Sequence, residues 1–413
     1  FGGAYYRVDY FELLGANQNY ASFTIPRVVG TYTQPVGGTC PLTQAGTLIR
    51  CELDYRIPSN LTAAQYAALG IPRGGIDPDL KPFTQREITV GMEQQLRRDL
   101  VFRFRYSNKD VINAIEDMAN LSNDFGESYI IGNPGKGLAL QLRNQVGYIR
   151  QAEAKAIRRY NGAEFVLDKG LSRSDWLKGD YFLNLNYTWS RLFGNYSGLA
   201  SSDEKGRSDP GVNRFFDYPV NGFTLAGTPD AGLLPTDRTH VFKSYGGYVF
   251  DWMGSKTNST TLSYFTTVTS GTPVTTFVDI ESSFIPKTRR GDLGRTPMFT
   301  QTDLNLTHRY RFGRDERFAM AFDVNVTNLF NEANVIDINN RQNVSGYSNA
   351  FHCGEGGLPA GATACQNYIL TNGAISGYNA TLAANPLRQN SLFGYPAAFQ
   401  NGRSVRFGFR LLF

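Results

Sequence analysis

Four cysteines are the residues whose type and spacing most directly suggest chemistry. Cys40 and Cys51 flank one short segment, and Cys353 and Cys365 flank another. Two local disulfides are the natural pairing, although four cysteines allow three connectivities. Each bond would close a loop of roughly a dozen residues, worth about 3 kcal/mol in the chain-entropy model. Disulfides of this kind indicate an oxidising compartment outside the cytosol.

A metal site is the alternative for the second cysteine pair, because His352 directly precedes Cys353. Zinc in proteins is usually held by four cysteine or histidine ligands at characteristic spacings. The spacing of His352, Cys353 and Cys365 matches no such pattern, and the chain contains only 3 histidines. We therefore predict a disulfide, with no metal and no cofactor.

Carboxylates such as Glu93, Asp303 and Asp323 could in principle serve acid-base chemistry. Their regular spacing among polar residues is also what the water-facing side of a strand requires. No nucleophile, base and orienting group occur in a recognisable arrangement, so the sequence predicts no enzyme. The sequons at Asn186 and Asn325 lie inside predicted strands and are interpreted as polar strand residues.

The glycine-rich segment 132–137, GNPGKG, is similar to a phosphate-binding loop. Such loops need a serine or threonine after the lysine and follow a buried strand. Neither feature accompanies Lys136, so we interpret the segment as a mobile loop.

The elements that carry these residues are strands with alternating side chains. The last strand shows this most clearly: Val405, Phe407, Phe409, Leu411 and Phe413 alternate with a mostly polar set that includes two arginines. A period of two puts the two sets on opposite faces of a strand. Apolar residues on one face and arginines on the other suit a membrane barrel, whereas a soluble all-β protein is the alternative.

The same pattern recurs along the chain and predicts nine strands. They lie at about 87–93, 101–106, 155–169, 177–195, 240–252, 258–270, 303–312, 318–327 and 405–413. Short turns alternate with long polar segments, which are 109–154, 196–239, 271–299 and 330–400. Short turns on one side and long loops on the other are typical of outer-membrane barrels. Aromatic residues at the short-turn ends predict an interfacial girdle.

Composition supports a membrane-spanning sheet. The 413 residues include 43 Gly, 29 Phe and 23 Tyr, and no apolar run is long enough for a membrane-spanning helix. Any membrane span must therefore be β. The net charge of +5 arises from interspersed basic and acidic residues, which favours a solvated surface and no nucleic-acid partner.

Nine strands cannot close a bacterial barrel, because single-chain barrels have an even strand number and lipid tolerates no open sheet edge. The fold class predicted is therefore all-β, a transmembrane antiparallel barrel of which this chain is the C-terminal part. Residues 1–83 are predicted to be an extracellular loop region, and residues 84–413 the strands and loops of the barrel. The C-terminus is then periplasmic and the long loops are extracellular.

Several segments resemble the TonB-dependent outer-membrane receptors. The segment DVNVTNLFN at 323–331 is similar to their penultimate-strand signature, and Phe413 fits their C-terminal assembly signal together with Phe409 and Leu411. Further matches to the Oar-like branch are FGG at 1–3, IDPDLKP at 76–82, YTWSRL at 187–192 and PTDRTHVFK at 235–243. The resemblance covers nearly all of the chain in scattered blocks.

The resemblance implies a barrel of about 22 strands closed by a plug, with a TonB box that engages the inner-membrane energy complex. It implies outer-membrane lipid, the barrel-assembly machinery and an extracellular ligand as partners. Neither plug nor TonB box is present in this sequence. The function implied is energised uptake of a scarce or bulky solute; a passive or secretory channel and a surface protein that displays its loops are the alternatives.

Ligand contacts are expected in the long loops. Aromatic and polar residues of the 196–239 segment are the candidates: Arg214, Phe215, Phe216 and Tyr218. Packing that orders a long loop is the alternative role for them. The charged run at 201–209 is interpreted as a solvated loop tip or a first contact with ligand.

Overall fold

The computed structural model describes residues 31–32, 50–51, 77, 79–121, 127–137, 155–174, 179–198, 224–254, 257–280, 283–344, 352–361, 364–365, 368 and 374–413. The strands are β1 Thr31–Tyr32, β2 Arg50–Cys51, β3 Thr84–Arg97, β4 Leu100–Asn113, β5 Glu116–Leu121, β6 Glu127–Gly132, β7 Arg158–Ser174, β8 Gly179–Gly194, β9 Gly232–Leu233, β10 His240–Asp251, β11 Asn258–Thr269, β12 Phe277–Ile280, β13 Ser283–Pro286, β14 Phe299–Phe312, β15 Phe318–Thr327, β16 Val335–Ile338, β17 Pro396–Phe399 and β18 Ser404–Leu412. Helix α1 spans Ile375–Ala384, and short 3-10 helices span Trp252–Gly254, Arg314–Glu316 and Pro386–Arg388.

Nine long antiparallel strands form the main sheet. Their order is β18, β15, β14, β11, β10, β8, β7, β4 and β3, and the short β9 pairs with the end of β8. Each long strand pairs with the long strands before and after it in the chain, so the sheet is a meander. The predicted antiparallel all-β fold is confirmed, and each of the nine predicted strands corresponds to one long strand. Closure into about 22 strands stays a prediction.

Local differences from the predicted strands lie in the connections. The strand β7 continues past Lys169 to Ser174, with a register shift between Lys169 and Ser172, so the hairpin with β8 is longer than predicted. The predicted long loops contain the two-stranded sheets β5–β6, β12–β13 and β16–β17 and the helix α1. These elements are short and lie in polar sequence, which offers little periodicity to detect.

One face of the sheet carries apolar side chains on all nine strands. Phe104, Phe165, Tyr187 and Phe242 are aligned in register on neighbouring strands, with ring centroids 5.1 Å apart for the first pair and 6.3 Å for the second. Side chains on this face are exposed, as much as 82% for Phe407. A continuous exposed apolar surface marks contact with lipid or another protein.

Aromatic residues gather where the strands are joined by short turns, as predicted. Phe250 and Trp252 meet edge to face at 4.7 Å, and Phe312 and Phe318 stack at 5.6 Å. The Trp252 indole donates to Thr260 Oγ1 at 2.8 Å. Thr260 also bonds to His308, the residue that interrupts the apolar face of β14.

Neighbouring hairpins are also tied together at the short-turn end. Lys169 Nζ lies 2.7 Å from Asp99 Oδ2, and the Ser172 hydroxyl donates to the same oxygen at 2.5 Å. The hydrogen bond from Lys169 and, to a smaller extent, that from Ser172 lower the pKa of Asp99 to about 2. The β3–β4 turn is thereby joined to β7.

The long loops form a packed layer with its own core at the other end of the sheet. Its buried side chains come from four segments far apart in the chain: Leu225, Val278, Ile280, Ile285, Leu358, Cys365, Ala374, Tyr378 and Leu382. Burial raises the pKa of the Tyr378 phenol. The parts of the long loops that the structure describes are therefore folded structure, held by apolar contacts as well as by hydrogen bonds.

The predicted disulfide between Cys353 and Cys365 is confirmed, with Cα atoms 5.7 Å apart. It anchors the loop that carries Glu355, which forms an ion pair with Arg388 at 2.6 Å. The Arg388 hydrogen bond holds the pKa of Glu355 below its usual value. With both thiols in the bond, neither cysteine is a metal ligand, which removes the metal alternative.

None of the helices in the described part of the chain is long and apolar enough to span a membrane.

Arginine substitutions at two neighbouring residues of β11, one on each face of the sheet, test which face meets lipid. Leu262 lies on the apolar face opposite Leu306, whereas the next residue, Ser263, is on the polar face. Leu262→Arg should destabilise the intact protein in lipid vesicles by about 2–4 kcal/mol, because arginine is costly on the lipid side near the midplane. Ser263→Arg should cost much less. Equilibrium unfolding measures both, and equal losses would contradict the assignment of the faces.

Removal of the confirmed disulfide tests the loop layer. The double substitution Cys353→Ser, Cys365→Ser should lower its stability by about 3 kcal/mol, because the reduced chain gains loop entropy when unfolded. Limited proteolysis should then cleave the 352–365 segment faster while the strands stay resistant. Unchanged cleavage would show that apolar packing alone holds the loop.

Candidate ligand site on the polar face of the sheet

The polar face of β3, β4, β7 and β8 carries three rows of residues that run across the strands. The antiparallel register aligns them, since residues in register share a face. From β3 to β8 the rows are Glu87, Lys109, Tyr160 and Leu192; Thr89, Ser107, Gly162 and Ser190; and Gly91, Arg105, Glu164 and Thr188. The rows lie towards the long-loop end of the sheet.

Opposite charges within these rows are paired between strands. Lys109 Nζ lies 3.2 Å from Glu87 Oε2, and Arg105 Nη2 lies 2.6 Å from Glu164 Oε2. Glu164 also accepts a hydrogen bond from Asn186 at 2.8 Å. Exposed pairs of this kind contribute at most about 1 kcal/mol each. Their cations are therefore available to a ligand at little cost in stability.

The charge network continues towards the short turns. Arg103 lies 2.6 Å from Glu93 and 3.3 Å from Asp168, and Asn184 donates to Asp168 at 3.1 Å. Glu93 is thus one partner in an ion pair across the β3–β4 hairpin.

The other edge of the polar face, at β14, β15 and β18, has a similar pairing. Asp323 receives hydrogen bonds from Arg410 at 3.0 and 3.2 Å and from the Thr307 hydroxyl at 2.7 Å. Asp303 accepts the backbone N–H of Asn328 at 2.8 Å. Both carboxylates hold strands and turns together.

A cavity of about 530 Å³ lies over the three rows. The side chain of Tyr160 lies across Gly162, where a Cβ would clash with its ring and hydroxyl. Twelve residues line the cavity: Gln85, Glu87, Arg105, Ser107, Lys109, Arg158, Tyr160, Gly162, Glu164, Thr188, Leu192 and Thr236. Sequence analysis predicted the polar face but did not single out this group, because its members come from strands far apart in the chain.

The PTDRTHVFK segment at 235–243 forms the rim beside the cavity. Asp237 accepts the backbone N–H of Leu192 at 2.5 Å and lies 2.5 Å from Arg295 Nη2. Arg238 donates to Thr269 Oγ1 at 2.8 Å and to the Ser270 carbonyl at 2.9 Å. The segment therefore joins the ends of β8, β10 and β11 to the 295 region, a structural role that the motif alone does not reveal.

A buried ion pair supports the same rim. Arg290 Nη2 lies 2.9 Å from Asp230 Oδ2, and its Nε donates to the Asp230 carbonyl at 2.8 Å. Both side chains are fully buried. Burial raises the pKa of the Asp230 carboxyl despite the neighbouring guanidinium.

The glycine-rich segment 132–137 is a turn held by side-chain hydrogen bonds. Asn133 donates to the Ala114 carbonyl at 2.7 Å and accepts the Lys81 N–H at 2.8 Å. Lys136 Nζ bonds the Ile112 carbonyl at 2.5 Å and Asn113 Oδ1 at 2.7 Å. These side chains fasten the turn to the end of β4. The interpretation of the segment as a mobile loop stays a prediction.

Other predicted residues lie partly outside the described chain. Cys40 and the ligand candidates Arg214, Phe215, Phe216 and Tyr218 are outside the described residues, so the Cys40–Cys51 bond and the loop contacts stay predictions. Asn325 is on the polar face and accepts from Asn305 at 2.5 Å. On the opposite face of β18, Phe409 and Leu411 are exposed, as is the terminal Phe413. Their role as an assembly signal stays a prediction.

Neutralising Asp237 tests whether its ion pair with Arg295 stabilises the rim. The Asp237 side chain is 0% exposed and that of Arg295 is 28% exposed, so the pair is largely buried. Asp237→Asn should destabilise the intact protein by about 3 kcal/mol, the lower end of the range for a buried pair that loses one partner. Asp251→Asn, at the opposite end of β10, is the matched control and should cause little change. Equilibrium unfolding in denaturant measures the loss of stability in both variants. Equal small losses would contradict the role of Asp237.

Comparison with known proteins identifies the domain family to which the sheet belongs. Residues 2–290 match the family model described as outer membrane beta barrel domain. The chain is 31% identical over 401 residues to the TonB-dependent transporter Oar of Myxococcus xanthus. That match covers 92% of this chain and 34% of the relative, so the chain spans about a third of the relative's length.

Two solved structures from Escherichia coli were also similar in part. The outer membrane transporter YddB gives a TM-score of 0.41 at 9% identity, over 63% of this chain and 30% of that chain. The ferric-catecholate import receptor Fiu gives a TM-score of 0.33 at 14% identity, over 69% of this chain and 27% of that chain. Neither similarity supports a conclusion, because both TM-scores are low. The match to the family model over most of the sequence shows that the chain belongs to the outer membrane beta barrel domain family.

Proposed function

We propose that the chain is the C-terminal barrel portion of an outer-membrane receptor that takes up a scarce or bulky solute in a TonB-dependent manner. The observation that carries the proposal is the 31% identity to the TonB-dependent transporter Oar across 92% of this chain. The separation of the sheet into an apolar and a polar face supports it, because a transport barrel needs one face for lipid and one for water.

The proposal assigns a direction to the sheet. The loop layer is extracellular, the short turns and the C-terminus are periplasmic, and the polar face lines the lumen. Solute captured among the loops, with Arg214, Phe215, Phe216 and Tyr218 as candidate contacts, would then pass the cavity over the three rows. The loop core and the Cys353–Cys365 disulfide support this, because they keep the entrance ordered.

The remaining parts belong to the longer protein. Residues 1–83 are an extracellular loop region, and residues 84–413 contribute strands and loops to a barrel of about 22 strands. A plug and a TonB box precede them, the energy complex engages that box, and the barrel-assembly machinery recognises the terminal strand with Phe409, Leu411 and Phe413. Outer-membrane lipid contacts the apolar face.

Depletion of solutes from a complex medium tests uptake and at the same time identifies the solute. Cells with and without the protein, each with and without TonB, would be grown in the same medium, and residual solutes would be quantified by mass spectrometry. We expect a set of solutes to be depleted only when both proteins are present. A protonophore should abolish that depletion, because the energy comes from the proton-motive force.

The alternatives give different results in the same experiment. Depletion that needs the protein but persists without TonB would indicate a passive channel. No depletion in any strain, with the protein present in the outer membrane, would indicate a surface protein that displays its loops. Either result would reject energised uptake.

A further inference from the structure

We propose that the cavity over the three rows binds an oxyanion group of a solute, with Arg158 as its anchoring cation and Lys109 and Arg105 beside it. The assignment of this solute as cargo rests on the proposed function, whereas the anion site itself rests on the charges of the cavity wall. The ligand class is a solute that carries a carboxylate or a phosphate.

Arg158 is a half-buried cation at the start of β7 that lines the cavity. Its Nη1 donates to the backbone carbonyls of Tyr196 at 3.3 Å and Ser197 at 2.7 Å. No carboxylate among the described residues forms an ion pair with it. Neutral carbonyls orient the guanidinium without cancelling its charge, and burial of an uncompensated charge is unfavourable. An anion in the cavity would remove that cost.

The two carboxylates that line the cavity pair with other groups and form no ion pair with Arg158. Glu164 accepts from Arg105 with one oxygen and from Asn186 with the other. Glu87 lies beside Lys109 with one oxygen and accepts from Thr89 with the other. Three cations, Arg105, Lys109 and Arg158, thus line the cavity against two carboxylates, and the excess charge is positive.

The neighbouring cations can turn towards a ligand. The side chains of Lys109 and Arg105 are 39% and 62% exposed, and their exposed ion pairs hold them only weakly. Lys109 is in register with Tyr160, two residues along β7 from Arg158 and on the same face. Ser107, Thr188, Thr236 and the Tyr160 hydroxyl supply further donors around the cavity. Guanidinium groups bind carboxylate and phosphate in a bidentate manner, so Arg158 suits either anion.

Arg159 is a matched control within the same molecule. It is the next residue, it carries the same charge, and strand alternation puts its side chain on the opposite face. There it pairs with Asp110, whose Oδ1 lies 3.4 Å from Arg159 Nε. A ligand bound in the cavity should therefore affect Arg158 and leave the adjacent Arg159 unaffected.

Protection from phenylglyoxal, an arginine reagent, tests the site in the unaltered full-length protein. Inorganic phosphate or acetate is the probe, and peptide mass spectrometry follows the modification rate of each arginine. At phosphate about tenfold above its dissociation constant, the rate at Arg158 should fall about tenfold, whereas the rate at Arg159 should stay the same. Stronger protection by acetate than by phosphate would identify a carboxylate ligand, and the reverse a phosphate. Equal rates at Arg158 with and without both anions, or equal protection of both arginines, would overturn the proposal.

Substitutions give an independent measurement by calorimetry with the better of the two anions. Arg158→Gln should weaken binding at least about tenfold, the loss expected for one charge-assisted contact, whereas Arg159→Gln should not. Arg158→Lys should retain part of the affinity because the charge remains. If Arg158→Gln fails to fold, the protection experiment still decides. Anion protection without TonB-dependent uptake would reject the proposed function alone, and uptake without protection would reject this site alone.

Discussion

The antiparallel ladder of the nine long strands is the constraint on which the rest of the structure depends. Its register leaves each side chain only two positions, one on the apolar face and one on the polar face. Phe104 thereby joins Phe165 and Tyr187 on one side, while Arg105 meets Glu164 on the other. A slip of one residue in one strand would expose charges on the apolar face and put aromatic rings among ion pairs. The separation of two solvents by one sheet follows from this register alone.

Charged side chains are paired in different ways on the polar face and in the loop layer. On the face, charges such as Arg103 and Asp168 stay partly exposed, and their pairing orders side chains without contributing much stability. At the rim, Asp230 and Arg290 are fully buried, and loss of one partner would leave an uncompensated charge. The rim is therefore held by a buried ion pair, whereas the wall below it is held by exposed pairs that contribute little stability.

Strand periodicity was sufficient to predict the sheet, because a two-residue repeat extends over ten or more residues in most of the strands. The strands β14 and β15 were the clearest, since Leu304 and Leu306 alternate with Asp303 and Asn305. The hairpin β5–β6 and helix α1 were not predicted, because tertiary contacts rather than local pattern stabilise short elements in polar loops. The partners of Lys136 could not be predicted for the same reason: they lie 23 and 24 residues earlier in the chain.

The sequence by itself determined the strand class and the two faces, because both depend on spacing along the chain. It predicted the local disulfide between Cys353 and Cys365 but left other connectivities open. Only the tertiary structure decided which charges meet. Arg158 lines a cavity with Lys109 and Arg105 although the three lie on two strands, and its carbonyl partners are 38 and 39 residues further along the chain. Periodicity assigns a side chain to a face, whereas its neighbours on that face are set by the register between strands, which the order of residues in one strand does not contain.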